Sequence, residues 1–262
     1  MKGIKFTLIV AAIAATAISA RAAVVAQDNA DFPQYAPQPT HNWSPINGGF
    51  GYNTWTALAD TAGGGTYMEG VGVNGRQVDG NFSFALYSGS GNFDISRPLA
   101  SAITGAGEFS VLTRFDLAGV GPNLVNIRSG NTLATFGSGE LLSFGIVNDS
   151  QLSYTDSSGF HTLASGEARG SVWSWDVQFN STTGAYSASV TNLGGGFATT
   201  FSGTLEASST SVGSFAVINS TTGNNQNMIF DNPTFSTVPE PSTIALVGLG
   251  LMGGLAIRRR KA

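Results

Sequence analysis

The chain has 262 residues, of which 42% are hydrophobic and 11% charged, with 35 glycines, two histidines and no cysteine. That length suits one sandwich or barrel domain, or two small ones. The missing cysteine excludes disulfide scaffolds, thiolate metal centres, iron–sulfur clusters and a cysteine nucleophile, and two histidines are too few for a multi-histidine metal site.

The first predicted element is an address. Lys2 and Lys5 precede an apolar stretch from Phe6 to Ala20, and Ala20-Arg21-Ala22 has the small-x-small form of a cleavage site. This is the pattern of a secretory signal peptide over 1–22, which implies passage through a secretion translocon and removal by signal peptidase. The stretch is short for a membrane span of roughly 20 residues. Residues 23–45 read as an irregular lead-in, because four prolines fall between Gln27 and Pro45.

From 46 to 237 the pattern is that of strands. Side chains alternate with period two in NFSFALYS (Phe82, Phe84 and Leu86 on one face) and in EFSVLTRF (Phe109, Val111 and Phe115). The alternation is cleanest in VWSWDVQF, where Trp173, Trp175, Val177 and Phe179 oppose Ser174, Asp176 and Gln178. AYSASV, LLSFGIV, TTFSGTL and SFAVIN follow the same rule. Asn74-Gly75, Asp79-Gly80, Ser157-Ser158-Gly159, Gly194-Gly195-Gly196 and Thr222-Gly223-Asn224 supply turns. Asn180 to Gly184 has hairpin length and a glycine for positive φ. With no stretch of helical period between them, these strands predict an all-β, antiparallel sandwich of jelly-roll type.

The order of FSVLTRFDL (Phe109 to Leu117), LLSFGIV (Leu141 to Val147), VWSWDVQFNSTTGAYSASV (Val172 to Val190) and IFDNPTF (Ile229 to Phe235) resembles the concanavalin A-like, laminin-G-like sandwich. The resemblance spans roughly Val71 to Phe235. It implies two curved antiparallel sheets with the Trp-x-Trp strand in the core. Lectins, adhesion modules and glycosidases share that fold, so the fold does not choose a function.

The chain ends with Pro239-Glu240-Pro241, then a charge-free stretch from Thr243 to Ile257, then Arg258, Arg259, Arg260 and Lys261. As a helix, 243–257 is about 22 Å long, short of a hydrocarbon core of about 30 Å; snorkelling arginines make up part of the difference. The basic cluster would stop on the cytoplasmic side, with the sandwich outside. Residues 238–262 resemble the PEP-CTERM sorting signal of Gram-negative bacteria. That resemblance implies processing near Pro239-Glu240-Pro241 by an exosortase-type enzyme, with the product on the cell surface or in the extracellular polysaccharide matrix. Plain permanent anchoring is the rival reading. Between Ala23 and Val238 five arginines face fifteen acids, a net charge of −10. No basic patch survives there, which disfavours nucleic acid.

Candidate chemistry is sparse. Glycoside hydrolysis needs paired carboxyls, and concanavalin-type hydrolases carry them on one strand as Glu-x-Asp-x-x-Glu or Glu-x-Asp-x-Glu. Here Glu69, Asp79, Asp94, Glu108, Asp116, Glu140, Glu167 and Asp176 stand singly, and no catalytic residue is assigned. His41 and His161 read as surface histidines, and no Gly-x-Ser-x-Gly elbow precedes a helix. Asp231-Asn232 and Asn148-Asp149 offer oxygen ligands of the kind calcium prefers, but both are ordinary turn residues and no calcium-loop motif is present. No cofactor is therefore assigned. Phe50, Tyr52, Trp55 and Tyr67 with Trp43 are the aromatics from which a sugar platform could be built, although core positions suit them better. The reading is of a non-catalytic, surface-sorted structural or adhesive module with extracellular polysaccharide as a partner. A glycan-degrading enzyme on the same fold is the alternative.

Overall fold

The structure, a computed structural model, describes residues 22–35, 43, 46–60, 64–70, 76–88, 91–116, 121–130, 139–148, 150–167, 170–206, 211–220 and 226–238. The signal segment up to Arg21, the Pro239-Glu240-Pro241 motif, the apolar stretch 243–257 and the basic cluster lie outside these residues. Among the described residues no helix is long and apolar enough to cross a membrane.

Fifteen strands follow in chain order: β1 (Ala23–Gln27), β2 (Thr56–Asp60), β3 (Gly65–Gly70), β4 (Phe82–Ser88), β5 (Asn92–Ile103), β6 (Ala106–Asp116), β7 (Asn123–Arg128), β8 (Glu140–Val147), β9 (Gln151–Asp156), β10 (Gly159–Ala164), β11 (Val172–Asn180), β12 (Ala185–Asn192), β13 (Ala198–Thr204), β14 (Val212–Ser220) and β15 (Gln226–Thr237). They form an eight-stranded sheet, β13-β12-β11-β6-β15-β4-β3 with β1 also on β15, and a seven-stranded sheet, β10-β9-β8-β7-β14-β5-β2. Every pairing is antiparallel. The all-β sandwich expected from the alternation is the fold observed.

The core lies between the sheets. Trp173, Trp175, Val177 and Phe179 of β11 are all buried, as their alternation predicts. Trp175 packs at a tilt against Phe144 of the opposite sheet, 4.7 Å between ring centres, and its indole N–H donates to Thr113 Oγ1 at 2.9 Å. Phe109 of β6 meets Phe235 at 4.5 Å and Phe215 at 5.5 Å. Such ring pairs add about 0.5–1.5 kcal/mol each beyond the area they bury. The predicted Asn180–Gly184 hairpin joins β11 to β12, with Gly184 at φ 74° and its N–H on the Asn180 carbonyl at 2.8 Å. Gly145 of β8 is required for another reason: a Cβ there would lie 2.1 Å from the Asn123 carbonyl of β7.

The expected lead-in over 23–45 is corrected at its start. Ala23–Gln27 is a strand, with Ala23 opposite Thr237 of β15. Behind it Asp28 is buried against Arg97 of β5 at 3.1 Å, and neither side chain is exposed. Tyr35 donates to Asp28 Oδ2 at 2.8 Å, and Arg97 donates to Asn47 Oδ1 at 2.6 Å and to the Gly48 carbonyl at 2.8 Å. The guanidinium also lies 4.9 Å from the Trp55 ring and 5.3 Å from the Tyr52 ring. Removing charges from water this completely is offset only by such close partners. Trp43, Tyr52 and Trp55 are thus core residues, which removes them from any sugar platform. Tyr67 is half-buried with its hydroxyl on Glu69 Oε1, and Phe50 alone of the five is exposed.

Candidate functional site

A strand in a sandwich turns alternate residues to the core and away from it. In β14, Phe215 and Val217 face the core, so Ala216 faces outward. The register carries that position across the whole seven-stranded sheet. Ala216 is opposite Ser96 of β5, which is opposite Thr56 of β2. On the other side Ala216 is opposite Asn126 of β7, then Ser143 of β8, Thr155 of β9 and Phe160 of β10. The outward face therefore carries a row of hydroxyl and amide groups ending in an aromatic ring. Phe160 is 54% exposed, Thr155 is half-buried, and Asn126, Ser143 and Ser96 are buried. The row is open at its β10 end and closed towards its centre.

Charged groups flank the row. On one side Asp94 of β5 is opposite Ile218; on the other Arg128 of β7 is opposite Glu140 of β8. Asn126 donates its amide N–H to Glu140 Oε1. Burial pushes the Asp94 carboxyl up to about 6; the Asn219 backbone N–H opposes this, the Glu140 charge adds to it, and Arg128 opposes it. Burial also raises Glu140, against Arg128, with Glu206 adding to the rise. Arg128 is lowered by burial and held up by Glu140 and Asp94. Titratable groups perturbed by burial and by one another on a single face make that face a candidate site, although structural ion-pair networks perturb them in the same way. Hydroxyls, an amide, charges of both signs and an exposed ring are the groups that hold a sugar chain. Two open hollows, of about 360 Å³ beside Phe179, Tyr186 and Val238 and of about 460 Å³ beside Val172 and Leu193, lie on the other sheet and contain no carboxylate, histidine or cation.

The other predicted candidates are placed as follows. Glu108 and Asp176 share the outward face of the eight-stranded sheet and hydrogen-bond to each other, and burial raises both carboxyls. Carboxyls in mutual contact leave no room for a glycosidic bond, which needs about 5 Å or more between them. His161 stacks on Tyr154 at 4.6 Å. Its Nε2 faces both Ser158 Oγ at 2.7 Å and Asp156 Oδ1 at 3.4 Å, and the serine hydroxyl itself donates to Asp156 at 2.6 Å. A relay needs the serine and the acid on opposite ring nitrogens, so this cluster is a turn brace. Asp231 Oδ1 accepts the N–H groups of Ala30 (3.0 Å) and Asn232 (2.8 Å), and Asn232 donates to Asp79 Oδ2 at 2.8 Å. Asp31 accepts the N–H groups of Asn81 and Phe82. Carboxylates aimed at N–H donors organise turns, and among the described residues no group of three acids or histidines is arranged for a metal. Asp149 and His41 lie outside the described residues.

Sequence reasoning placed Asp94 and Glu140 among scattered single acids and did not single out Asn126, Ser143, Thr155 or Phe160. The only local signal was polar alternation within strands, and aligning seven strands into one row needs the register.

The family model described as "PEP-CTERM protein-sorting motif" matches residues 237–261. No curated protein matches the chain. Among solved structures, the globular domain of T. cruzi calreticulin is similar with a TM-score of 0.52 at 10% identity, over 91% of this chain and 100% of that one. Peanut lectin (TM-score 0.44, 15% identity, 68% of this chain and 100% of that one) and the cellulose induced protein Cip1 (0.42, 15%, 69% and 90%) are also similar. At such identities the likeness concerns fold alone. The chain thus carries a PEP-CTERM protein-sorting motif at its C-terminal end, behind an antiparallel β-sandwich similar in fold to the calreticulin globular domain.

Proposed function

We propose that the protein is an exported, non-catalytic glycan-binding module, sorted to the cell surface or extracellular matrix by its C-terminal motif. In this reading signal peptidase removes residues 1–22 after the translocon. An exosortase-type enzyme then acts near Pro239, Glu240 and Pro241, while 243–257 lies in the membrane and Arg258 to Lys261 stop on the cytoplasmic side. The sandwich is 46–237, with β1 added from the segment before it. Binding rests on one observation: the row Thr56–Ser96–Ala216–Asn126–Ser143–Thr155–Phe160 crosses all seven strands, buried at its centre, and opens at its β10 end on the exposed Phe160 ring.

The test has two parts. Intact mass of the native protein from matrix and membrane fractions should find the product outside the cell without the residues after about Val238. Retention of Arg258 to Lys261 in the inner membrane would instead make it a permanently anchored module. The native protein should be retained on the host's purified matrix polysaccharide, and Phe160→Ala should lose most of that retention; equal retention would remove the face from the reading. A hydrolytic reading has one observation in its favour, the raised carboxyls of Asp94 and Glu140 on either side of Asn126. Release of new reducing ends from that polysaccharide, abolished in Glu140→Gln, would replace the binding module with an enzyme.

A further inference from the structure

We infer that, until its tail is cut, the sandwich stands end-on against the lipid headgroups of the membrane, meeting them with the strand ends that surround Val238. The inference rests on the reading of 243–257 as a membrane anchor and adds the surface that the anchor brings to the lipid. A short tether carries it. Val238 is held by the fold, its N–H on the Ala106 carbonyl at 3.1 Å. Only Pro239, Glu240, Pro241 and Ser242 separate it from Thr243, where the apolar stretch begins. The steps from Val238 to Thr243 reach at most about 18 Å when fully extended, and the headgroup layer itself takes about 5–8 Å of that. As a helix, 243–257 would also be about 8 Å short of the hydrocarbon core. With Arg258 to Lys261 stopped on the cytoplasmic side, whatever part of that deficit snorkelling does not cover is drawn from the tether.

The end of the sandwich suits this place. It is built from the start of β1, the β5–β6 turn and the Asn180–Gly184 hairpin, the last brought beside Val238 by the pairing of Ala106 with Asn180. Ala23, Val24, Thr104, Thr182, Thr183 and Ala185 are exposed there, and none is charged, although the segment from Ala23 to Val238 carries a net charge of −10. The hollow of about 360 Å³ beside Phe179, Tyr186 and Val238 has a mainly apolar lining. Exposed acid returns at the β13 corner with Glu206, whose N–H is on the Leu141 carbonyl. Lying flat on the eight-stranded sheet would instead press the Glu108–Asp176 pair towards the lipid phosphates. None of the six exposed residues is a cation, so the tether imposes the contact and a cut beyond Val238 would end it.

The chain has no cysteine, so single labels can be placed by substitution. Thr182→Cys carries a bimane on the hairpin beside Val238. Leu193→Cys, 55% exposed at the other end of β12, carries it about 25 Å away. Each full-length protein is reconstituted in phosphatidylethanolamine–phosphatidylglycerol vesicles bearing a nitroxide on the headgroup, and flotation with the vesicles is read first. The Thr182 label should be quenched at least about twofold more than the Leu193 label. A Gly/Ser linker of about twelve residues between Val238 and Pro239, with an average reach of about 17–21 Å, should remove the difference while the protein still floats. Equal quenching of the two labels in floating protein without the linker, or stronger quenching at Leu193, would overturn the end-on contact and leave the anchor standing. Quenching at Thr182 that survives the linker would reveal an affinity of the end itself for lipid and overturn the tether as its cause. Protein that does not float would overturn the anchor reading, and the inference with it.

Discussion

Asp94→Asn should stabilise the folded protein at neutral pH. The carboxyl moves from 3.8 to about 6 on folding. At 1.36 kcal/mol per unit, that shift of about two units amounts to about 3 kcal/mol of destabilisation when the group is ionised. The sign follows from proton binding. Between about pH 4 and pH 6 the folded state holds this proton and the unfolded state does not, so stability falls as pH rises through that window and is lowest above it. Below about pH 4 both states are protonated and the cost vanishes. Asparagine carries no charge at any pH and still accepts the Asn219 N–H. The variant should therefore gain up to about 3 kcal/mol at pH 7, which is about 6–12 °C in Tm at about 2–4 °C per kcal/mol for a domain of this size, and almost nothing at pH 3.5. Urea unfolding of both proteins across that range measures the difference, because carboxylates remote from Asp94 titrate equally in the two. A variant no more stable than wild type at pH 7, or a gain that does not change with pH, would refute the burial argument for Asp94.

Trp175→Ala should cost about 3–5 kcal/mol, since the ring is fully buried against Phe144; a near-neutral urea midpoint would contradict that packing. Arg97→Ala should cost a similar amount, about 3–5 kcal/mol, because it leaves Asp28 charged and buried; the check is whether Asp28→Asn in the same chain restores part of the loss, as a broken ion pair requires. Glu240→Ala should leave the precursor in the membrane fraction if the motif at 237–261 directs processing, and unchanged release into the medium would remove Glu240 from recognition.

How far the sequence could be read depends on what each strand does with its two faces. β11 was legible because one face is aromatic and buried and the other polar, giving the pattern Trp173-x-Trp175-x-Val177-x-Phe179. The hairpin to β12 was legible because Gly184 marks it. β5 was not read as a strand, since Asp94, Arg97 and Pro98 interrupt its apolar run. Its charges are carried on both faces, Arg97 satisfied in the core by Asp28 and Asp94 on the outward side. Pro98, which has no N–H to give, is tolerated because the β2 pairing already ends at Ser96. β1 is only five residues long, and its pairing with β15 spans nearly the whole chain, so no local pattern announces it. The candidate site was illegible for the same reason. Its residues come from β2, β5, β7, β8, β9 and β10, and only the register places them in one row.

That long-range pairing also ties the two addresses to the fold. Ala23, the first residue after the predicted signal cleavage, is opposite Thr237, where the sorting motif begins. Val238 is still anchored, its N–H on the Ala106 carbonyl at 3.1 Å. Pro239 has no N–H with which to continue the ladder, so β15 must end where the motif starts, with no linker between them. A cut on the far side of Val238 would leave β15 whole between β6 and its partners. A cut before it would remove residues from the interior of the eight-stranded sheet. Cuts at Ala22 and after Val238, if both are made, would fall at one end of the sandwich, beside each other. The proposed glycan face lies on the other sheet, along the strands rather than at their ends. Maturation at either end can change where the module resides without disturbing the groups by which it would bind.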